Sequence, residues 1–366
     1  MLALKVKVGP QFYQYQVGAI DLVPDLLAEY AATKLLIVHG GVSWEKAQPF
    51  LSFLDNQQYE VTYHRYTGEC SYLGAELIAE VVKAQKIDFI IGVGGGKLAD
   101  LVGYAAHRLN LNFGIIPTLA SNCAPWTPLS VMYKENGEAE GKTEHYLRQA
   151  AFLVTDPRLV VDAPVAYFIA GLADTLAKWY ESTEILQQPH LQGVPFLELA
   201  SFTSVLCKEA IMKDSVKGIA DMQKGELSPE FIRLSEIIFA VAGMVGGLGD
   251  KYARNAAAHA MHDAISKYLP ESHQFLHGEK VAYGIFYQLA LEGKWSVIDE
   301  LVPFYEKLNL PQSLHQMGLY PEPAVIDAII TFIESKEKVH LIPVVVTEET
   351  LRQSFDQLED YIQGKR

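Results

Sequence analysis

Ile87-Asp88-Phe89-Ile90-Ile91-Gly92-Val93-Gly94-Gly95-Gly96-Lys97-Leu98-Ala99-Asp100 runs a short apolar segment into a glycine cluster and then into a helical pattern. It reads as a buried strand, a tight turn and the first turns of a helix. Glycines at such a junction let backbone amides approach an anion at the helix N-terminus, and Lys97 adds a positive charge. The common nucleotide motifs fit poorly. No Walker pattern is present, and the dinucleotide pattern is met only as Gly94-x-Gly96-x-x-Ala99, with no acidic residue about 20 positions later. A turn that merely closes a strand-helix unit explains the same residues.

On either side of this stretch, β-rich runs alternate with helical ones: Leu35 to Val38, Tyr59 to Tyr66, Phe113 to Pro117, Leu129 to Tyr133 and Phe152 to Thr155. That alternation predicts a parallel α/β sheet. Ala75 to Lys86 is the expected crossover helix, with Leu77, Ile78, Val81 and Val82 on one buried face. Beyond Val161 the texture changes. Asp162-Ala163-Pro164 looks like a helix start, and long helical patterns follow to the C-terminus. The expected organisation is therefore an α/β domain over residues 1–160 and an all-α domain over 161–366. A chain of 366 residues, 49% apolar and 20% charged, is large enough for two cores.

Charge and composition exclude several classes. Residues 1–160 carry 13 basic against 16 acidic side chains and the remainder 17 against 28, for a net charge of −14. With that balance and no basic stripe, nucleic acid is not an expected partner. The longest apolar run, Ile237 to Gly249, has 13 residues, against about 20 needed to cross a bilayer. No membrane partner is expected. Three separated cysteines, Cys70, Cys123 and Cys207, offer no disulfide framework. A cytoplasmic protein acting on a small molecule, assembled as a homo-oligomer, is the expectation.

Four of the 11 histidines, His259, His262, His273 and His277, fall within 19 residues, where composition alone gives roughly 0.6. Lys251 to Leu269 reads as a helix, Pro270-Glu271-Ser272 breaks it, and Gln274 to Leu291 resumes helical periodicity. His259 and His277 on successive helices can converge on one ion, although solvated or hydrogen-bonded helix histidines would give the same spacing. On a helix from Pro164 to Ile185, Val165, Phe168, Ile169, Leu172, Leu176 and Trp179 share an apolar face. Asp174 points the other way, among Ala170, Gly171, Ala177, Lys178 and Glu181. Either a site or a plain solvated face accounts for it.

Taken together, four motifs resemble the glycerol dehydrogenase branch of the iron-containing alcohol dehydrogenase family: Gly94-Gly95-Gly96-Lys97; Pro117-Thr118-Leu119-Ala120-Ser121; Gly171 to Glu181; and Ala258-His259-Ala260-Met261-His262 with His277-Gly278-Glu279. Cys123 to Val131 and Gly243 to Asp250 narrow the likeness to its hydroxycarboxylate dehydrogenase A type. The resemblance implies the dehydroquinate synthase-like fold, an α/β dinucleotide-binding domain followed by a helical metal- and substrate-binding domain. It implies NAD or NADP and one divalent metal held by Asp174, His259 and His277. Lys178 stands where iron-dependent members add a histidine, so zinc is expected before iron. His39, Gly94 to Lys97, Asp100, Thr118, Ser121, Thr127, Leu129 and Tyr133 are the implied cofactor residues.

His262 and Cys123 are the implied catalytic or substrate-lining residues. Glycerol dehydrogenases carry an aspartate where this chain has Cys123, which points away from glycerol and toward 2-hydroxy and 2-oxo acids. They also place an acidic residue after the first nucleotide-domain strand, where this chain has His39-Gly40-Gly41. Without that carboxylate NADP(H) is expected to be accepted. Glycerol oxidation, a dehydroquinate synthase-like lyase and a non-catalytic cofactor-binding protein are the competing functions.

Overall fold

The computed structural model describes residues 2–364. The chain divides into two compact units. The sheet unit comprises residues 7–168 and 218–243, and the helical unit residues 2–6, 169–217 and 244–364. Residues 218–243 thus pack with the sheet although they follow the start of the helical part of the sequence.

The sheet unit contains β1 (Phe12–Tyr15), α1 (Val23–Glu29), β2 (Lys34–His39), α2 (Val42–Ala47), β3 (Glu60–Arg65), α3 (Tyr72–Gln85), β4 (Phe89–Gly94), α4 (Gly96–Leu109), β5 (Asn112–Pro117), β6 (Leu129–Tyr133), β7 (Ala139–His145), β8 (Phe152–Thr155) and α5 (Pro157–Val161). Six parallel strands lie in the order β1-β8-β5-β4-β2-β3. Alternate residues of β2 feed opposite cores: Leu35 and Ile37 pack with α1 and α2, Leu36 and Val38 with α3 and α4. Such double coverage explains why β2 and β4 read as unbroken apolar runs.

From β2 the chain steps outward to β3, then crosses back over β2 to β4. The order therefore reverses between β2 and β4. Their carboxyl ends are level, with His39 in register with Val93, and ligands of open α/β sheets bind at such a reversal.

Three sequence readings change. Leu129 to Tyr133 is not a strand of the parallel sheet but pairs antiparallel with β7 in a separate hairpin. Strands β1 and β7 were not expected; β7 is largely polar and solvated, so its pattern carries no apolar signal. On α3 the buried positions are Gly74, Ala75, Ile78 and Val82, whereas Leu77 is exposed.

The longer helices that follow are α6 (Val165–Leu186), α7 (Pro195–Gln223), α8 (Pro229–Glu236), α9 (Ala242–Gly249), α10 (Ala257–Tyr268), α11 (His277–Leu291), α12 (Trp295–Leu308), α13 (Pro323–Glu334) and α14 (Glu348–Gly364). Helix α10 starts later than the sequence suggests, because the chain passes through a turn between Ala253 and Ala256. Helix α11 starts at His277, behind a short turn at Pro270–Gln274. The helical stretch Pro229–Tyr252 is long and apolar enough to cross a membrane, yet 72% of its most apolar window is buried inside the protein. It behaves as a core helix.

Two glycines set the spacing around α11. A Cβ on Gly278 would lie 1.8 Å from the carbonyl oxygen of Ala170 in α6, and one on Gly284 2.2 Å from that of Ala258 in α10. Both neighbours are backbone and cannot rotate away. Gly284→Ala should therefore lower stability by about 1–3 kcal/mol through overpacking. Urea unfolding checks this, and an unchanged midpoint would mean that the helices separate without strain.

Candidate active site

Helix α6 is buried on all sides from Ala170 through Lys178, so Asp174 does not lie on a solvated face. Its Oδ1 is 3.1 Å from Nε2 of His259 and 3.3 Å from Nε2 of His277. The ligand atoms of these three residues all lie within 4.8 Å of one another. The helices α6, α10 and α11 each supply one.

Behind His259 stands Glu181, seven residues and two helical turns after Asp174. Its Oε2 is 2.6 Å from Nδ1 of His259, and its Oε1 accepts the backbone N–H groups of Ala256 and His259 at 2.6 and 2.9 Å. Gln288 of α11 accepts those of Ala257 and Ala258. Helix α10 has no side-chain cap of its own, and two other helices supply the acceptors that its first turn lacks.

A carboxylate can only accept, so Nδ1 of His259 carries the hydrogen and Nε2 faces Asp174. Burial works against ionising Asp174, but hydrogen bonds from His259 and His277 and the charges of His277 and Lys178 outweigh it and hold its pKa well below the usual range. Burial likewise disfavours the His259 imidazolium. The Glu181 charge and the two carboxylate hydrogen bonds prevail and push its pKa up to about 9. This pocket favours positive charge at one point among three ligand atoms, and two imidazoles with one carboxylate suit a catalytic divalent cation.

His262 is buried, with its ring centroid 4.1 Å from that of His277. Its Nδ1 is 3.1 Å from Oδ1 of Asp263, whose other oxygen accepts from Lys338 at 2.9 Å. Burial, then the neighbouring His277, lowers the His262 pKa well below the ordinary value. The ring is neutral, and Asp263 directs its lone pair to Nε2. A long 3.5 Å contact joins that atom to Ser266 Oγ, which accepts from Lys280 Nζ at 2.7 Å. Lys280 is buried too, and burial lowers its pKa to about 8. His273 stays outside the triad, with Nε2 2.9 Å from the Ser266 carbonyl oxygen.

In the sheet unit, helix α4 opens after Gly95 without a side-chain cap. None of Gly94, Gly95 and Gly96 has positive φ, so these glycines serve space rather than backbone conformation. A Cβ on Gly96 would sit 2.3 Å from the amide oxygen of Asn122, whereas one on Gly95 would meet only Leu119 at 3.5 Å. Lys97 is not a free charge, because it pairs with Glu69 at 2.7 Å. Thr118 donates its N–H to the Gly94 carbonyl, and its buried hydroxyl has no partner among the described residues.

Asp100 accepts the Val131 N–H through Oδ2, while Oδ1 is buried and unpartnered. Burial raises the Asp100 pKa to about 7. The orphaned Thr118 hydroxyl belongs to a residue bonded to the glycine turn and suits a polar ligand there, whereas Asp100 is buried beneath the hairpin near Cys70 and Tyr146. Leu129 and Tyr133 belong to the hairpin that Asp100 anchors, and Ser121, Cys123 and Thr127 are half-buried in the loop before it. His39 ends β2, with Nδ1 2.8 Å from the Gly40 carbonyl and its ring 4.3 Å from that of Trp44.

A parallel sheet with a glycine turn at its reversal point, and a helical unit with a carboxylate-imidazole triad, are the parts of a nucleotide-dependent oxidoreductase. The sequence profile of iron-containing alcohol dehydrogenase matches residues 10–157. Hydroxycarboxylate dehydrogenase A of Escherichia coli (strain K12) is 34% identical over 366 residues, covering 98% of each chain. A glycerol dehydrogenase of Thermotoga maritima is 30% identical, covering 85% of this chain and 84% of its own. The crystal structure of a probable glycerol dehydrogenase from Sinorhizobium meliloti 1021 superposes with a TM-score of 0.86 at 26% identity, over 98% of this chain and 99% of the other. The chain belongs to the iron-containing alcohol dehydrogenase family, and it is an oxidoreductase of the alcohol or hydroxycarboxylate dehydrogenase type.

Sequence reasoning placed Glu181 near Asp174 without giving it a role, and missed Gln288, Asp263, Ser266 and Asn122. For Glu181 the seven-residue spacing was the available signal. Glu181→Gln keeps an oxygen for the α10 amides but presents an N–H to Nδ1 of His259, reversing the tautomer. Metal affinity should then fall about 10–100-fold. Metal analysis after dialysis, beside His277→Ala as the ligand-deleted reference, checks this; a full complement of metal in both variants would sink the site.

Proposed function

We propose that the chain is an NAD(P)-dependent dehydrogenase with one divalent metal at Asp174, His259 and His277, interconverting a small 2-hydroxy acid and its 2-oxo acid. The observation that carries the reading is the triad of buried Asp174 and His259 with half-buried His277, Glu181 fixing the His259 tautomer, in a chain 34% identical to a hydroxycarboxylate dehydrogenase. When bound, the cation supplies Lewis acidity toward the substrate oxygen, and the nicotinamide supplies or takes up the hydride. Zinc is favoured over iron because three ligands are present and Lys178, buried one turn after Asp174, stands at the further histidine position.

The remaining chemistry belongs to the chain's own side chains. His262, neutral and with its Nε2 lone pair toward Ser266 Oγ at a long 3.5 Å, is the group suited to take up the substrate hydroxyl proton. Ser266, which accepts from Lys280, contacts that same nitrogen and so orients the ring, and a proton taken up at Nε2 replaces the contact. In the sheet unit, the first amides of α4 after Gly95 bind the cofactor pyrophosphate. Gly95→Val should raise the cofactor dissociation constant about tenfold or more without changing the unfolding midpoint, because Leu119 leaves room for a side chain there. Unchanged affinity in a cofactor-fluorescence titration would move the pyrophosphate elsewhere.

Substrate choice rests on Cys123. An aspartate at this position accepts hydrogen bonds from a polyol but repels a substrate carboxylate, whereas a thiol carries no fixed charge. Buried Lys178 and Lys280 favour an anion electrostatically. Glycerol and dihydroxyacetone form the second substrate pair, in keeping with the glycerol dehydrogenase relatives. For the wild type, kcat/KM for a small 2-oxo acid should exceed that for dihydroxyacetone, and Cys123→Asp should shift the ratio toward the ketone. A wild type that prefers dihydroxyacetone, or a ratio unmoved by the substitution, would refute the assignment.

A further inference from the structure

Strand β3 lies beside β2 in parallel register, with Arg65 opposite His39 at the carboxyl ends. Alternation along β3 puts Arg65 on the same face as Val61 and Tyr63, the face covered by α2. Its guanidinium lies over the backbone where β2 turns into α2: a Cβ on Gly41 would be 3.0 Å from a terminal guanidinium nitrogen. Among the described residues this guanidinium makes no ion pair or side-chain hydrogen bond. At the opposite ends of the same two strands, by contrast, Lys34 is paired with Glu60 at 2.9 Å.

Among the described residues no carboxylate pairs with Arg65, and Glu45 of the facing helix α2 is exposed. Strand β2 ends in His39, whose imidazole burial keeps neutral, followed by Gly40 and Gly41. Ser43 Oγ would lie 2.9 Å from a Cβ on Gly40, which places a hydroxyl on the same turn. An arginine, a hydroxyl and two bare glycines at the end of a strand flanking the reversal point form an anion cradle. A guanidinium presents parallel donors that match phosphate geometry.

We propose that Arg65, with Ser43 and the Gly40-Gly41 turn, binds the 2′-phosphate of NADP(H) and makes the enzyme select the phosphorylated cofactor. The inference rests on the cofactor reading above, which places the pyrophosphate on α4 and so the adenosine ribose across the end of β2. It goes further than tolerance of NADP(H) through a missing carboxylate. It assigns a cation that recognises the phosphate directly.

The test is calorimetric, on the full-length metal-loaded protein, with 2′,5′-ADP against 5′-ADP and NADPH against NADH. The wild type should bind each phosphorylated ligand at least about tenfold more tightly, with a preference that weakens as ionic strength rises. Arg65→Gln should abolish that preference, and Arg65→Lys should keep part of it. Lys34→Gln removes a cation from the far end of the same strand pair and should leave the preference intact. Because Arg65 is exposed, its substitution does not threaten the core. NADH binding with no preference for NADPH, or a preference that survives Arg65→Gln, overturns this assignment alone. Failure to bind either dinucleotide overturns the cofactor reading and this assignment with it.

Discussion

A single buried carboxylate organises the helical unit. With one oxygen Glu181 closes the first turn of α10, and with the other it holds Nδ1 of His259. Hydrogen bonds to a charged acceptor contribute about 1.5–3 kcal/mol each, and an unpaired buried carboxylate costs more than that. The helix terminus and the imidazole therefore stabilise the anion, and the anion fixes both. The direction of α10 and the tautomer of its first histidine are set by the same group. Folding the helix into place is also the step that points Nε2 at Asp174.

Glycine provides the second constraint. The approach of α11 to α6 at Gly278 and to α10 at Gly284 leaves no room for a methyl group. Without that approach, His277 could not stand 3.3 Å from Asp174, nor could Gln288 reach the amides of Ala257 and Ala258. In the sheet unit Gly96 plays a comparable part, since it makes room for Asn122. None of these three glycines has positive φ. They serve proximity, which turn propensity does not register.

The parts legible in the sequence were those with a period. Apolar strands of five or six residues separated by helices specify a parallel sheet, and four histidines in 19 residues specify a cluster. Groups that work through tertiary adjacency left weaker traces. Arg65 stands at the end of β2 because β3 lies beside it, and neither residue type nor spacing encodes that pairing. Lys97 was read as a free charge because its partner, Glu69, lies 28 residues away across a strand and a helix. Asp174 looked equally like a solvated residue because periodicity shows which face of α6 is apolar, but not that the polar face is buried as well. The polar hairpin strand β7 was invisible for the opposite reason: no apolar face marks it.

The ion pairs buried in the helical unit bear on what the site is for. Asp174, Glu181, Lys178, His259, His262 and Lys280 are all less than a tenth exposed. Desolvating so many ionisable groups costs several kcal/mol per ion, and their mutual attraction does little more than return it. Apart from Glu181, which also closes the first turn of α10, apolar side chains of similar volume often fold such a region as well. Stability therefore gives no account of the cluster, whereas chemistry does. A fixed negative charge beside two imidazole nitrogens, with a neutral histidine and a buried lysine behind, suits the cation and the proton transfer of the proposed function. In water the same groups would be screened and free to rotate. Burial turns an unfavourable arrangement for folding into a preorganised one for moving charge.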